Sequence, residues 1–478
     1  REEINSIAMY NPEPEFITEG RPFLYDARFS SGRGDSSCGS CHLFGDMDGI
    51  AWDLGEPDLE FTYNPRDYVN FFMKMNSLRI HHPLKGPMLT QSLRGMEFQG
   101  PQHWRGDRTG KDRYNGESLE RAAFKEFRGA FTGLLARAEE PTEEELNKFA
   151  DFVLQMRYPP NPNRNLDDTL TETAKFGENI YFNQKSTGFK AESTGNVAMI
   201  SCNGCHEVEP DIERFGTSTL MSFEGTETPQ DMKVAHLRNI YTRVGMYGLK
   251  LRERTSTAKQ MGDQVTGFGI SHDGAIDTLE NFLSLNVFHV DTPDIPEVMD
   301  YVTQISTGLA PIVGQQATLN LFSQSDAELV ELMMAQALLH TQAGGPRKQQ
   351  CDLIANGVIG GESQSWIFNQ NGKFTDAEGD STSFTRLRFN TLIPGNSVTF
   401  TCATPGSGYR LAFDRDEDGI INGVDSDTSG LLATSVTAAD PNAPEVHIEP
   451  ADASKGFMRE SSQKDRGVFP DFDDFWAF

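Results

Sequence analysis

Two copies of one short motif constrain this chain more than any other feature. The motif Cys-x-x-Cys-His occurs at residues 38–42 and again at residues 202–206. Two thiols at this spacing reach the two vinyl groups on one edge of a porphyrin, and the adjacent histidine can then ligate the iron. A redox dithiol needs a thioredoxin-like context, and half of a zinc site needs a second pair of ligands nearby. We therefore predict two covalently attached c-type haems. The predicted attachment residues are Cys38, Cys41 and His42 for the first haem and Cys202, Cys205 and His206 for the second, with His42 and His206 as proximal iron ligands.

The charge of the chain limits its partners. Asp and Glu number 70 against 42 Lys and Arg, which gives a formal net charge of −28. Such a field argues against binding nucleic acid or anionic lipid, and it favours a neutral or basic partner such as a small redox protein that gives or takes electrons. No apolar run reaches the roughly 18 residues that a membrane span needs, so no span is predicted.

The cysteines also predict a compartment. Attachment of haem c is completed outside the cytoplasm, so we expect an exported protein. The sequence opens at Arg1 without an apolar signal segment, which predicts a processed form or part of something longer. In an oxidising compartment the two remaining cysteines, Cys351 and Cys402, are expected to form a disulfide, worth roughly 4 kcal/mol in the chain-entropy model. The alternative is a pair of buried free thiols.

The predicted fold class is mainly α, with two cytochrome c-type haem domains in tandem followed by a small β domain with a calcium loop. Helices are expected around residues 117–135, from the capping box at 142–145 to about Met156, from Leu170 to Phe182, and after Ser325, where the last helix begins. The order haem motif, Leu-Arg, turn with glycine, helix occurs twice and predicts an internal duplication. The expected boundaries are 1–157 for the first haem domain, 158–165 for a linker, 166–324 for the second haem domain, 325–430 for a helix and the β domain, and 431–478 for an acidic aromatic tail.

Two features near the C-terminus predict binding, one of a calcium ion and the other of a protein surface. Residues 414–425 carry oxygen ligands at the positions of a calcium loop, with glycine at the sixth position and aspartate at the twelfth. A solvated acidic turn is the alternative. The segment 469–478 is acidic and rich in aromatic residues, so we expect it to dock on this chain or on a partner protein. The predicted calcium ligands are Asp414, Asp416, Asp418, Ile420 and Asp425.

With these landmarks, residues from about 20 to 310 resemble the bacterial di-haem cytochrome c peroxidases and the related di-haem enzymes that mature tryptophylquinone cofactors. The additional calcium-loop domain makes the chain most similar to large exported peroxidase-like di-haem proteins. The resemblance implies a periplasmic or extracellular bacterial oxidoreductase. It implies that electrons pass between the two haems and reduce hydrogen peroxide at the first.

The resemblance also assigns residues around the first haem. His81 lies five residues before Gly86-Pro87, as the family's distal histidine does, and His82 is the neighbouring candidate. Trp104, 23 residues beyond His81, matches the tryptophan that stands between the haems. Glu126 is the candidate for the family's distal acid. The simpler alternatives are a buried core aromatic for Trp104 and a turn histidine for His81.

At the second haem the chain departs from the family. The position of the expected methionine or tyrosine ligand, 14 residues after His272, holds Asn286. We expect ligation by His206 and His289 instead, with Met246 as the fallback, and we expect His272 to lie near the haem without ligating it. The remaining histidines expected to be structural are His236, His340 and His447.

Two functions follow from this sequence. The first is a peroxidase-like enzyme, which requires one iron with an open coordination position and a nearby acid–base group. The second is a non-catalytic electron-transfer cytochrome or a subunit of an extracellular redox complex. The distal residue of the first haem discriminates between them, because a permanently bound His81 favours the carrier.

Overall fold

A computed structural model describes most of the chain between residues 13 and 414. The described residues are 13, 15–55, 58–63, 69–70, 80–81, 83–97, 99–110, 116–186, 200–209, 214–215, 220–224, 230–243, 269–274, 276, 278–285, 287–341 and 347–414. We call residues 15–157 the first unit, residues 158–310 the second unit and residues 316–414 the C-terminal unit.

The helices and strands of the described residues follow in chain order. The helices are α1 (Glu15–Tyr25), α2 (Ala27–Ser30), α3 (Leu119–Lys125), α4 (Arg128–Gly133), α5 (Glu143–Val153), α6 (Glu172–Asn183), α7 (Cys202–Cys205), α8 (Leu279–Leu283), α9 (Ile295–Thr303), α10 (Ala327–Ala337), α11 (Phe384–Asn390) and α12 (Gly408–Phe413). The strands are β1 (Ala51–Asp53), β2 (Thr62–Tyr63), β3 (Val69–Asn70), β4 (Ile80–His81), β5 (Pro87–Leu89), β6 (Val208–Glu209), β7 (Arg214–Phe215), β8 (Leu220–Glu224), β9 (Gln230–Lys233), β10 (Gln316–Asn320), β11 (His340–Thr341), β12 (Arg347–Lys348), β13 (Asp352–Ile359), β14 (Glu362–Phe368), β15 (Phe374–Thr375), β16 (Ser381–Thr382) and β17 (Ser397–Ala403).

A helix pair forms the centre of each of the first two units. Helix α1 packs on α5, and helix α6 packs on α9. In both pairs the helices approach each other most closely at a glycine. A Cβ at Gly20 would collide with the carbonyl oxygen of Lys148, and a Cβ at Gly177 would collide with the carbonyl oxygen of Glu297. Each pair lies next to a Cys-x-x-Cys-His motif in its unit. The same packing device therefore occurs twice, as the internal duplication predicts.

A seven-residue turn is also repeated in both units, at residues 102–108 and 270–276. In each turn the first residue donates its amide to the carbonyl of the last, at 2.9 Å and 2.7 Å respectively. The second residue has a positive φ, 72° in the first turn and 70° in the second, and the fifth is a glycine with positive φ. The third position holds Trp104 in the first unit and His272 in the second. These two residues are therefore equivalent in the two units.

The two units exchange hydrogen bonds at these turns. The amide of Lys233 in the second unit donates to the carbonyl of Trp104 at 2.8 Å, and the amide of Leu89 in the first unit donates to the carbonyl of His272 at 2.8 Å. Strand β3 of the first unit also pairs in parallel with β8 of the second. The interface is thus reciprocal, and each unit fixes the equivalent turn of the other.

The segment expected to link the two haem domains, 158–165, is packed into the fold. Tyr158 is buried, and the buried Asn161 donates its side-chain amide to the carbonyls of Thr303 and Ile305 at 2.9 Å each. Because Asn161 holds the end of α9, the segment fixes the second unit.

The C-terminal unit is built on one antiparallel sheet with strand order β10-β17-β13-β14-β15-β16. Side chains alternate between its two faces, as period-two geometry requires. Leu353 and Trp366 lie in the large core that includes residues of α10 and α11, whereas Ile354 packs with Phe413 of α12. The disulfide expected between Cys351 and Cys402 is present in this unit, with both sulfurs buried.

The predicted mainly α fold class is wrong. The described residues contain the six-stranded antiparallel sheet, and short strands also lie within the first two units. Most of those short strands span two or three residues, which is too short for the alternation that identifies a strand in a sequence. The helix after Ser325 is also not the last, because α11 and α12 follow it.

Candidate functional site

The first motif forms a tight turn that presents its histidine. Residues Cys38–Ser40 form a 3-10 turn, and the amide of His42 donates to the carbonyl of Cys38 at 2.9 Å. The His42 ring donates from Nδ1 to the carbonyl of Gln91 at 2.8 Å. A carbonyl only accepts, so Nδ1 carries the proton and Nε2 carries the lone pair. This is the tautomer that an iron ligand requires.

The second motif presents its histidine in a similar way. Helix α7 contains both cysteines, and the amide of His206 donates to the carbonyl of Cys202 at 2.8 Å. The His206 ring donates from Nδ1 to the carbonyl of Ala235 at 2.7 Å. The hydroxyl of Tyr181 donates to the His206 carbonyl. In both motifs the hydrogen bond fixes the tautomer and the orientation of the imidazole, as such bonds commonly do for metal-binding histidines in other proteins.

Burial raises the pKa of all four motif cysteines. None of the four forms a disulfide. Burial raises the pKa of Cys38 to about 11 and the pKa of Cys205 to about 12. Catalytic redox cysteines have a lowered pKa because the thiolate is the nucleophile. The environment therefore disfavours a redox dithiol, and it leaves both cysteine pairs available for thioether bonds.

The two motif histidines are joined by a continuous path of covalent and hydrogen bonds. From the Gln91 carbonyl the backbone runs two residues to Leu89, whose carbonyl accepts the indole N–H of Trp104 at 2.7 Å. The Trp104 carbonyl accepts the amide of Lys233 at 2.8 Å. From Lys233 the backbone runs two residues to Ala235, which accepts from His206. We call this route the Trp104 path.

The candidate distal residue His81 is buried in the first unit beside the 102–108 turn. The residue is 1% exposed, and within the described part of the chain its Nε2 has no hydrogen-bond partner. Burial lowers the pKa of His81 to about 4, with the positive charge of Arg105 as the next cause. The ring is therefore neutral at pH 7.

A histidine–carboxylate pair completes this polar cluster. The His103 ring bonds the carboxylate of Asp107 at 2.7 Å, and Arg108 lies 3.5 Å from the same carboxylate. Burial would raise the pKa of Asp107, but His103, Arg108 and Arg105 together hold it below its usual range. An ionised carboxylate that holds an imidazole is a recurrent acid–base arrangement. The sequence analysis did not single out this pair, since a His and an Asp four residues apart have no distinctive pattern.

Glu126, the candidate distal acid, is engaged with the backbone. Its two carboxylate oxygens accept the amides of Thr109 at 3.1 Å and Gly110 at 2.8 Å. Burial raises the pKa of Glu126, and the two backbone bonds oppose that shift. The carboxylate therefore fastens the end of the 102–108 turn to α3.

Near the second motif, His289 is placed by its backbone. Its amide donates to the carbonyl of Ser186 at 2.7 Å, and the Ser186 hydroxyl lies 3.5 Å from the sulfur of Cys202. The side chain of His289 is exposed. His272 is buried in the second turn. Ligation of the second haem by His289, with His272 nearby but not a ligand, stays a prediction. The candidates that fall outside the described residues are His82, Met246 and Asn286.

The calcium loop falls almost entirely outside the described residues. Asp414 ends α12, and the other four predicted ligands lie beyond it. In the part of the chain that the structure describes, no group of three or more His, Cys, Asp or Glu side chains is placed to hold a metal ion. Within the same residues no helix is long and apolar enough to cross a membrane.

Comparison with known proteins adds little. No protein-family model and no curated protein sequence matches this chain. A solved structure of hydrazine synthase from Kuenenia stuttgartiensis, pressurised with xenon, is similar over 63% of this chain and 90% of that chain, at 17% identity and a TM-score of 0.35. A likeness of this degree defines neither a fold family nor a function.

Proposed function

We propose that this chain is an exported di-haem c-type cytochrome that passes electrons between two haem sites and reduces hydrogen peroxide. The Trp104 path carries the proposal. It joins two imidazoles that share one tautomer and one type of carbonyl partner, and it runs without a break from His42 to His206. Electrons pass more readily along covalent and hydrogen bonds than through the space between atoms that are not bonded. Such a path therefore suits electron transfer between two redox centres.

The residues present fit two haem c groups. Cys38 and Cys41 would bind the first and Cys202 and Cys205 the second, with His42 and His206 as axial ligands through Nε2. When bound, each haem supplies one-electron chemistry, and an iron with an open position binds peroxide. A calcium ion held by the 414–425 loop is part of the proposal.

Reduction of hydrogen peroxide consumes two electrons and two protons and releases two molecules of water. A small electron-donor protein, favoured to be basic by the net charge of −28, supplies the electrons. The buried cluster in the first unit is suited to the protons, because Asp107 orients the His103 ring and the neutral His81 ring offers an acceptor nitrogen. Peroxide is therefore expected to react in the first unit.

The second candidate function is an electron-transfer cytochrome or a subunit of an extracellular redox complex. The Trp104 path serves it equally well. His81 would favour it by permanent ligation, since its buried Nε2 has no hydrogen-bond partner among the residues that the structure describes.

Electron paramagnetic resonance of the oxidised and half-reduced protein, with and without calcium, separates the two functions. We expect a high-spin signal in one of these states, its disappearance on addition of hydrogen peroxide, and consumption of the peroxide. Two low-spin signals that persist through half-reduction and do not respond to peroxide would contradict the enzyme and support the carrier.

A further inference from the structure

The C-terminal unit exposes apolar side chains from two neighbouring segments. Phe322 is 93% exposed in the turn after β10, and Phe389 is 67% exposed in α11. A polar side chain joins these segments: Gln324 donates to the hydroxyl of Thr391 at 2.9 Å and accepts from Arg388 at 3.1 Å. The exposed side chains therefore lie on adjoining parts of one surface. We call this surface the apolar patch, and its members are Leu321, Phe322, Phe389, Leu392 and Ile393.

A patch of this kind needs an occupant. Scattered single apolar residues on a surface are ordinary, but a contiguous group marks an interaction site. Helix α11 contains two cations, Arg386 and Arg388, and no acidic residue, and Arg388 donates to Gln324 at this surface. In a chain with a net charge of −28, this is a place where an acidic and apolar segment would be accepted.

The chain itself contains a segment of this composition. Residues 469–478 read Phe-Pro-Asp-Phe-Asp-Asp-Phe-Trp-Ala-Phe, with aromatic residues at every third position from Phe469 to Phe475 and aspartates between them. Aromatic residues, Phe and Trp included, are enriched in the buried cores of protein interfaces, and the aspartates are complementary to the two arginines. The segment 469–478 is therefore complementary to the apolar patch both in charge and in apolar character.

The length of the intervening chain permits this contact. Between Asp414, the last described residue, and Phe469 there are 54 residues. A chain of that length reaches about 40 Å without being extended. A tethered segment acts at an effective concentration of about millimolar, so even a weak contact would be well occupied.

We propose that residues 469–478 dock on the apolar patch of the same chain. This inference is independent of the haem chemistry, because no residue of either motif takes part.

A peptide of residues 469–478, labelled with a fluorophore, tests the proposal against the full chain and against the chain ending at residue 468. The shortened chain is expected to bind the peptide with a dissociation constant of about 0.1 mM or less, and the full chain at least ~10-fold more weakly, because its own segment occupies the site. In the shortened chain, Phe389→Asp is expected to weaken binding ~10-fold or more. The matched control is Phe176→Asp, since Phe176 of α6 is 68% exposed but lies in the second unit.

Hydrogen exchange gives a second measurement that does not depend on the peptide. Amides of residues 389–393 are expected to exchange faster in the shortened chain than in the full chain. Absence of peptide binding, equal binding by the Phe389→Asp variant, or unchanged exchange would overturn the proposal. Dimerisation of the shortened chain that Phe389→Asp abolishes, without peptide binding, would assign the patch to a second copy and would also overturn it.

Discussion

Replacing Trp104 with phenylalanine is expected to slow electron transfer between the two haem sites by about tenfold or more, which corresponds to ~1.4 kcal/mol in an activation barrier. Phenylalanine preserves an aromatic ring but lacks the N–H that donates to the Leu89 carbonyl at 2.7 Å. The Trp104 path is then broken at its centre, while the amide of Lys233 still donates to the backbone carbonyl of residue 104. The measurement is the rate at which the second haem is oxidised after one site has been reduced rapidly.

Trp52→Phe is the matched control for this experiment. Trp52 lies in the same unit, and its indole also donates a hydrogen bond, to Asp48 at 2.8 Å, but it is not on the path. We expect the electron-transfer rate of Trp52→Phe to equal that of the unaltered protein. Equal rates in the two tryptophan variants would show that Trp104 is a packing residue only.

Replacing Lys233 with methionine is expected to change how stability depends on pH. The Lys233 ammonium is buried between the units and donates to the carbonyl of Pro101. Burial lowers the pKa of Lys233 to about 7, and the charge of Glu120 only partly offsets this. In the unfolded chain a lysine keeps its proton up to about pH 10.4. Between these values the unfolded state binds more protons, so folding stability rises with pH.

The size of this stability change follows from the difference between the pKa of Lys233 in the folded and in the unfolded chain. From pH 7 to pH 9 the protein with Lys233 is expected to gain about 2 kcal/mol in free energy of unfolding relative to Lys233→Met. Loss of the hydrogen bond to Pro101 shifts the free energy of unfolding of the variant by an amount that does not depend on pH. The slope of the free energy of unfolding against pH therefore reports the titration of Lys233. Denaturant unfolding at several pH values measures it, with Lys148→Met, at an exposed ion pair, as the control. Parallel pH profiles for the unaltered protein and Lys233→Met would contradict the burial of a titrating lysine.

Local features of the fold were predictable from sequence. The capping box at Thr142 and Glu145 forms as expected and starts α5, because the two side chains satisfy amides that a helix start leaves unpaired. Thr171 caps α6 with its side chain alone, which accepts the amide of Ala174 at 3.2 Å. The pairing of Cys351 with Cys402 also followed, since no other cysteines were left outside the motifs.

The partners of the motif histidines could not be predicted, because they depend on long-range packing. His42 bonds a carbonyl 49 residues downstream and His206 one 29 residues downstream, so the spacing gives no shared pattern. Both acceptors do lie three residues before the arginine of a Leu-Arg pair, and this regularity becomes visible only when the two units are compared. The role of Glu126 was hidden for a similar reason, since the amides it binds belong to another turn.

Under the proposed function, the equivalent residues Trp104 and His272 have different roles. Both residues occupy the third position of the same turn, and each turn is fixed by an amide from the other unit. Only the first unit places an indole there, and the indole N–H completes the path between the motifs. Two equivalent turns that carry different residues suit a protein in which one haem site supplies electrons and the other uses them.

The most direct test of the two-haem claim is mass spectrometry of the protein, purified from its native host, after proteolysis. The peptides of interest contain residues 38–42 and 202–206. We expect each to carry one haem joined by two thioether bonds, and we expect the intact protein to exceed its polypeptide mass by two haems. Free thiols or a disulfide within either motif of the purified protein would contradict the claim.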